Sequence, residues 1–476
     1  MPLRQGLAKV PPLAWLLLAA IIVRAQTFGN PVIEFDEQYY LLVGERFLDG
    51  ALPYVDIWDR KPVGLFSLFA AFVGLGRMFG GDGLLASQIG ALLAVVATAE
   101  LVRRIAIRSG APAWGAMSAA LSYVIWLGLA QGEGTQASVL YNPLVAGAAF
   151  LVHRRGPNLL RDGIFAMGLA GLAIQLKYTA ALEGLLFGLW LLWLAYGRCW
   201  SARAMLGAGA LWAAVAALPT LAMLALYWRL GELDAFLFAN FQSQFLRVPD
   251  DLSVMGEDLL GSAAIILLPL VMLVASLRHF ALRDRPFAWQ WFAMALAAIL
   301  LVGAYSPHYF IPLLPPLFVL LAPALARWRK AALALLAIGA GAGQFLLYHY
   351  EQTKGGKAEA LAMVEAIGEV PGCLYVHDGF PALYRLSGSC LPTPFAFPGS
   401  LNMANEAGAL GVDSRAEVER IFAGRPDAVV TDLPAYNRGN LVTRAIVERE
   451  LAAHYDEVLR LQTGPNRFRL VYRRRN

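Results

Sequence analysis

The chain has 476 residues, of which 58% are hydrophobic and only 15% charged, and its mean hydropathy is +0.55. Ordinary soluble domains carry roughly a quarter charged residues, so this composition excludes a soluble globule and defines an integral membrane protein. The net charge of +5 does not mark a nucleic-acid binder, because the arginines stand in small groups between apolar runs and form no continuous basic stripe.

Apolar runs of about 17 to 25 residues suffice to cross roughly 30 Å of hydrocarbon. In chain order they fall near 11–29, 83–102, 112–130, 137–152, 161–178, 180–197, 204–228, 259–277, 287–304, 309–326 and 331–349, which predicts a polytopic α-helical protein of about eleven transmembrane helices. The first run follows Arg4 and Lys9 and loosely imitates a signal peptide, with Val23-Arg24-Ala25 as a poor cleavage site. Its continuation to Phe28 favours a retained anchor.

The stretch 61–79 decides the topology. Counted as a span, it would put Arg103, Arg104 and Arg108 outside, so it is read as a juxtamembrane or re-entrant helix. Arg4 and Lys9, Arg103 to Arg108, His153 to Arg161, Arg198 to Arg203, Arg278 to Arg285 and Arg327 to Lys330 then all face the cytoplasm, as the positive-inside rule requires. The protein is expected in a bacterial inner membrane, residues 1–350 forming the membrane domain. Its first extracytoplasmic loop, 30–82, and the tail, 351–476, face the periplasm.

The tail has the texture of a small soluble α/β domain. Strand-like runs at Cys373-Leu374-Tyr375-Val376, Asp427-Ala428-Val429-Val430-Thr431 and Phe468-Arg469-Leu470-Val471-Tyr472 alternate with helical stretches at 412–423 and 440–453. In an oxidising compartment Cys373 and Cys390 are expected to form a disulfide, the alternative being two buried thiols. The His, Cys and Asp spacing fits no structural zinc site.

Ionisable residues are nearly absent from the middles of the spans. Arg24, Lys177 and Glu183 are the exceptions, and all three fall near outer ends, on the same side as the pair Asp36-Glu37. A secondary transporter keeps such groups near the midplane. Their gathering at one interface points instead to catalysis on a substrate delivered within the bilayer.

Four constellations meet there. Asp36 and Glu37, followed by Tyr39 and Tyr40, offer carboxylates that can take a proton from an attacking hydroxyl; the alternative is a helix start favoured by the dipole. In Trp58-Asp59-Arg60-Lys61-Pro62, adjacent cations can hold a phosphate, with interfacial snorkelling as the alternative. Lys177 stands at a helix end, where an ion pair with Glu183 is the structural reading. Tyr305-Ser306-Pro307-His308-Tyr309-Phe310 breaks two spans and offers an imidazole and two phenols.

Together these residues resemble the polyprenyl-phosphate-sugar-dependent GT-C glycosyltransferases, of the protein O-mannosyltransferase and lipid A aminoarabinose transferase type. The likeness covers roughly residues 1–350; it lies in the acidic pair after the first span, the Lys61-Pro62 step, Lys177 at an outer helix end, and His308-Tyr309-Phe310-Ile311-Pro312 before a Leu/Pro-rich helix. It implies that Asp36 is the catalytic base, with Glu37 supporting it. Lys61, Lys177 and Tyr309 would bind the donor phosphate, aided by Arg60 and His308, and Tyr40, Glu133 and Glu183 would line the substrate cavity. The sequence departs from the family where Tyr178-Thr179 follows Lys177, a place where relatives often have Gly-Pro.

The expected reaction moves a sugar from a polyprenyl-phosphate donor to an acceptor hydroxyl on a lipid, glycan or protein, with inversion. Membrane lipids are the other partners, and no nucleic acid is expected. Asp36 and Glu133 could contribute to a divalent-metal site, but a metal-independent reaction is favoured because no His or carboxylate cluster is evident. The rival readings are a lipid-linked sugar flippase and a non-catalytic membrane scaffold.

Overall fold

A computed structural model describes residues 10–279, 285–303, 305–436 and 438–475. Arg4, Lys9 and the part of the Arg278 to Arg285 loop at 280–284 lie outside the described residues. The helices run in chain order as α1 (Pro12–Arg24), α2 (Phe35–Leu48), α3 (Val63–Met78), α4 (Leu84–Arg108), α5 (Ala113–Trp126), α6 (Ala137–His153), α7 (Leu159–Ile174), α8 (Ala180–Gly197) and α9 (Ala202–Leu230). Short helical turns fill 233–246; α10 (Leu252–Ser276), α11 (Pro286–Val302), a tight 3-10 segment (Pro307–Leu313), α12 (Leu314–Arg327) and α13 (Arg329–Lys354) follow. The C-terminal region adds α14 (Lys357–Ile367), β1 (Leu374–Val376), α15 (Ala382–Leu386), α16 (Pro398–Asn402), α17 (Ser414–Ala423), β2 (Ala428–Leu433), α18 (Leu441–His454), β3 (Tyr455–Gly464) and β4 (Arg467–Arg474).

Every one of the eleven apolar runs is helical, and among the described residues six helices are long and apolar enough to cross a membrane. The segment 61–79 is helical too, as the 16-residue α3. Boundaries follow turn chemistry. Gly110, at φ 85°, ends the turn after α4, and Pro112 precedes α5, where a missing N–H costs nothing.

The chain folds into two compact units, each assembled from separate stretches of sequence. The first comprises Met1–Phe28, Gln88–Met223 and Leu252–Leu346. Its core is α12, whose residues Leu314–Leu325 are all buried. Gly115 allows α5 to lie directly on it, since a Cβ there would stand 2.1 Å from the Ala322 carbonyl oxygen. In hydrocarbon the polar atoms must pair internally: Trp126 Nε1 donates to Ile265 O at 2.8 Å, and Arg24 donates to the carbonyls of Gly132 and Gly134 at 2.6 and 3.0 Å.

The second unit comprises Gly29–Ser87, Leu224–Asp251 and Leu347–Asn476. Helices α2 and α3 pack closely because Gly44 has no side chain; a Cβ there would sit 2.6 Å from the Phe69 backbone. The C-terminal sheet has the order β1-β2-β4-β3, with β1 and β2 parallel and the other pairs antiparallel. Cys373, just before β1, is joined to Cys390 by a disulfide. The hydrophobic core beside this sheet holds Tyr375, Val429, Ile446 and Val447 together with Trp58. A boundary near 350 therefore separates two stretches that share one core. Strand β3 has no counterpart among the sequence-predicted strands, because this edge strand keeps most of its side chains exposed and lacks a clear buried face.

At the carboxyl ends of β1 and β2 lies a buried charge cluster. Asp432 pairs with Arg467 and with the fully buried Arg469, the latter at 2.8 Å, and the Arg469 guanidinium lies 3.8 Å from the centre of the Phe380 ring. Burial, reinforced by Asp432, pushes the Asp378 carboxyl up to about 7, against the pull of the arginines. Folded protein thus holds a proton that the unfolded chain has released between about pH 4 and 7, so this group's contribution to stability falls as pH rises through that window. Burial lowers His377 to about 3, which acts in the opposite sense below about pH 6.5. Asp378→Asn isolates the carboxyl. Calorimetric unfolding across pH 4–8 should show the variant gaining on the parent protein as pH rises to about 7, then no further.

Candidate active site

In the second unit the acidic pair opens α2, with Asp36 and Glu37 in its first turn and Glu34 extended before it. Carboxylates here are favoured by the helix dipole. The two differ in access: Glu37 is fully buried, whereas Asp36 is partly exposed and can meet a substrate.

The loop between α2 and α3 is pinned to α2 by aromatic side chains. Tyr39 Oη donates to Trp58 O at 2.7 Å, and Tyr54 Oη donates to Lys61 O at 2.7 Å. Burial holds the Tyr39 phenol well above its usual range, so it remains a donor. Tyr54, at φ 71°, packs against Phe66, Tyr227 and Phe236. Trp58 N donates to Pro394 O at 2.9 Å, and its ring lies 5.6 Å from that of Phe395. Tyr40 is buried against Phe66 and Phe69, and Lys61 Nζ lies 6.0 Å from its ring centre.

Asp59 carries no separate role in the sequence reading, yet it is electrostatically central. Its carboxyl is pushed up by burial, pulled down by Lys61 and by the Arg60 N–H bonded to it at 2.5 Å, and raised by Asp36. Asp59 thus feels both Asp36 and Lys61. The available signal was an acid two residues before the lysine in a loop flanked by buried aromatics.

Arg60 has a different part from the expected phosphate contact. Nε donates to Ser243 Oγ at 2.7 Å, Nη1 and Nη2 donate to Glu406 at 3.0 and 2.5 Å, and the guanidinium lies 4.8 Å from the Trp58 ring centre. Arg247 reaches the same carboxylate at 2.9 Å. Protein atoms meet the planar fork, so Arg60 fixes the loop that carries Lys61. Glu406, remote in sequence, could not be matched to it from the chain alone.

The remaining expected site residues lie in the first unit. Lys177, buried between α7 and α8, donates to Ser138 Oγ at 3.1 Å and stands 4.3 Å from the Tyr309 ring centre. The His308 ring lies 4.5 Å from that of Tyr309, and its Nδ1 is 3.3 Å from Gln131 Oε1. The structure thus brings Lys177, His308 and Tyr309 together. Glu133 is buried in the loop whose neighbouring carbonyls Arg24 holds. Glu183 departs from the expected ion pair with Lys177: it accepts a bond from Trp291 Nε1 at 2.7 Å, tying α8 to α11.

With this geometry in place, likeness to solved structures becomes informative. ArnT from Cupriavidus metallidurans bound to undecaprenyl phosphate aligns over 96% of this chain and 97% of its own, at 15% identity and a TM-score of 0.61. The same protein in the apo state aligns over the same shares, at 14% identity and a TM-score of 0.63. No protein-family model matches the chain, and no curated protein matches it by sequence. The chain has the GT-C fold, as the resemblance in its motifs implied.

The Arg60–Glu406 pair yields a direct test. Glu406→Ala leaves two arginines facing each other without a counter-charge, which should destabilise the protein by about 3 kcal/mol and lower its unfolding temperature. The exchanged pair Arg60→Glu with Glu406→Arg should recover part of that loss, and Arg60→Lys should not match the parent, because the two-pronged contact is gone.

Proposed function

We propose that this protein is a glycosyltransferase that moves a sugar from a polyprenyl-phosphate donor to an acceptor hydroxyl at the outer face of a bacterial cytoplasmic membrane. The observation that carries the reading is the grouping of a partly exposed Asp36 with Asp59 and Lys61 at the start of α2 and in the loop pinned to it. The ArnT neighbour bound to undecaprenyl phosphate supports the choice of donor.

A sugar on a polyprenyl phosphate already carries a good leaving group. The enzyme must orient the acceptor, accept its proton and stabilise the departing phosphate. Asp36 takes the hydroxyl proton as the acceptor oxygen attacks the anomeric carbon; the carbon–oxygen bond to phosphate breaks, and the polyprenyl phosphate leaves with the electron pair. Attack from the face opposite the phosphate inverts the anomeric centre. Lys61 neutralises the leaving group, Glu37 braces the first turn of α2, and Asp59 holds Lys61 in place. Lys177, His308 and Tyr309 form a separate cationic and aromatic cluster within the first unit, of a chemistry suited to a phosphate-bearing lipid. The reaction as written needs no metal ion, because the cation that meets the phosphate is a side chain.

Asp36→Asn keeps the shape and removes the base, so transfer by purified protein should fall by roughly a hundredfold or more while donor binding persists. Glu37→Gln should be milder. Near-normal turnover in Asp36→Asn, or movement of the lipid-linked sugar across vesicles without group transfer, would overturn the assignment.

Lys61 is tested by the form of its charge. Lys61→Ala should raise the apparent donor KM and lower kcat more than Lys61→Arg does, since arginine retains the positive charge. Equal kinetics for the alanine variant and the parent would return Lys61 to an interfacial role.

A further inference from the structure

At the opposite end of α8 from Lys177, the first unit contains a cavity of about 630 Å3 that the transfer reaction does not use. It is walled by residues following α4, by the end of α6, by the start of α11 and by Trp190 of α8. Four arginines line it: Arg108, Arg154, Arg155 and Arg285. Asp162 neutralises Arg154 through an ion pair. Arg108 and Arg155 form no ion pair among the described residues. Arg108 donates to the Arg154 carbonyl at 3.0 Å, and Arg155 lies 5.8 Å from the Trp193 ring centre. Arg285 donates to the carbonyls of Ser109 and Leu320 at 3.4 and 3.3 Å. Arg108 and Arg155 therefore leave a surplus of positive charge in the cavity.

A second, apolar cavity of about 380 Å3 adjoins it, with Trp190 and Pro286 lining both. Its other walls include Leu189 and Trp193, which are more than half exposed on the outside of the helices. A positive chamber and an apolar groove beside it describe a receptor for an amphiphile with an anionic head.

We propose that this end of the molecule binds one anionic phospholipid. Its phosphate sits among Arg108, Arg155 and Arg285, and an acyl chain runs past Leu189 and Trp193. The positive-inside rule places these arginine-bearing ends in the cytoplasmic leaflet, where anionic headgroups are recognised by basic pockets between helices. The inference is independent of the transferase reading.

The test uses the full chain, purified in detergent and stripped of lipid, titrated with phosphatidylglycerol, phosphatidylcholine or inorganic phosphate and followed by native mass spectrometry. One phosphatidylglycerol should bind saturably, at least tenfold tighter than phosphatidylcholine, with inorganic phosphate far weaker than either. Arg108→Gln with Arg155→Gln should weaken phosphatidylglycerol binding by roughly thirtyfold, following about 1 kcal/mol for each arginine. If the double variant fails to fold, Arg155→Gln alone serves, because that side chain is exposed. Equal affinity for the two lipids, or affinities that none of the substitutions alters, would overturn the proposal. Inorganic phosphate binding as tightly as lipid would show a free-anion site and overturn it as well.

Discussion

The Arg60–Glu406 contact organises the second unit. A guanidinium bonded through both Nη atoms to a carboxylate, through Nε to Ser243, and stacked near Trp58 fixes three stretches of chain at once: the loop after α2, the turns around 243 and the segment before α17. Lys61 follows Arg60 directly, and Tyr54 and Tyr39 hold the flanking backbone. The pair is mostly shielded from solvent, with side-chain exposures of 17% and 9%, so screening weakens it far less than a surface pair. Its value is geometric. In the role proposed for Lys61, a cation that meets a departing phosphate must stay within a fraction of an ångström of its working position.

A second constraint comes from the membrane. Hydrocarbon penalises ionisable groups and unpaired backbone, so the helices keep their middles apolar and gather charge at their ends. Several charged side chains buried within the first unit are answered by partners, as Arg24 is by two carbonyls and Glu183 by Trp291. The same economy leaves clusters of different character at the two ends of α8. Lys177 stands with Tyr309 and His308 at one, and arginines line a cavity beside Trp190 toward the other.

The C-terminal sheet shows how a small soluble fold is adapted to this setting. It borrows Trp58 for its core and places the Asp432, Arg467 and Arg469 cluster at the carboxyl ends of its two parallel strands. A fully buried arginine is costly unless bonded on several sides. Arg469 meets that condition through Asp432, the Lys354 carbonyl and the Phe380 ring, thereby tying the end of α13 to β4.

The sequence by itself determined the membrane class, all eleven apolar helices, three of the four strands and the GT-C resemblance. These depend on composition, on runs of hydrophobicity and on motifs only a few residues long, all of which are local in the chain. Only the tertiary structure decided that Arg60 is a clamp, that Glu183 pairs with Trp291, that Asp59 joins the electrostatics of Asp36 and Lys61, and that Trp58 belongs to the core of the distant C-terminal sheet. Each of these depends on how the folded chain places its side chains, and most on partners far away in sequence, such as the 346 positions between Arg60 and Glu406. A charged side chain has the same local signature whether it awaits a ligand or is already bonded. Folding, by choosing which remote group desolvates it and which one pairs with it, is what separates the two.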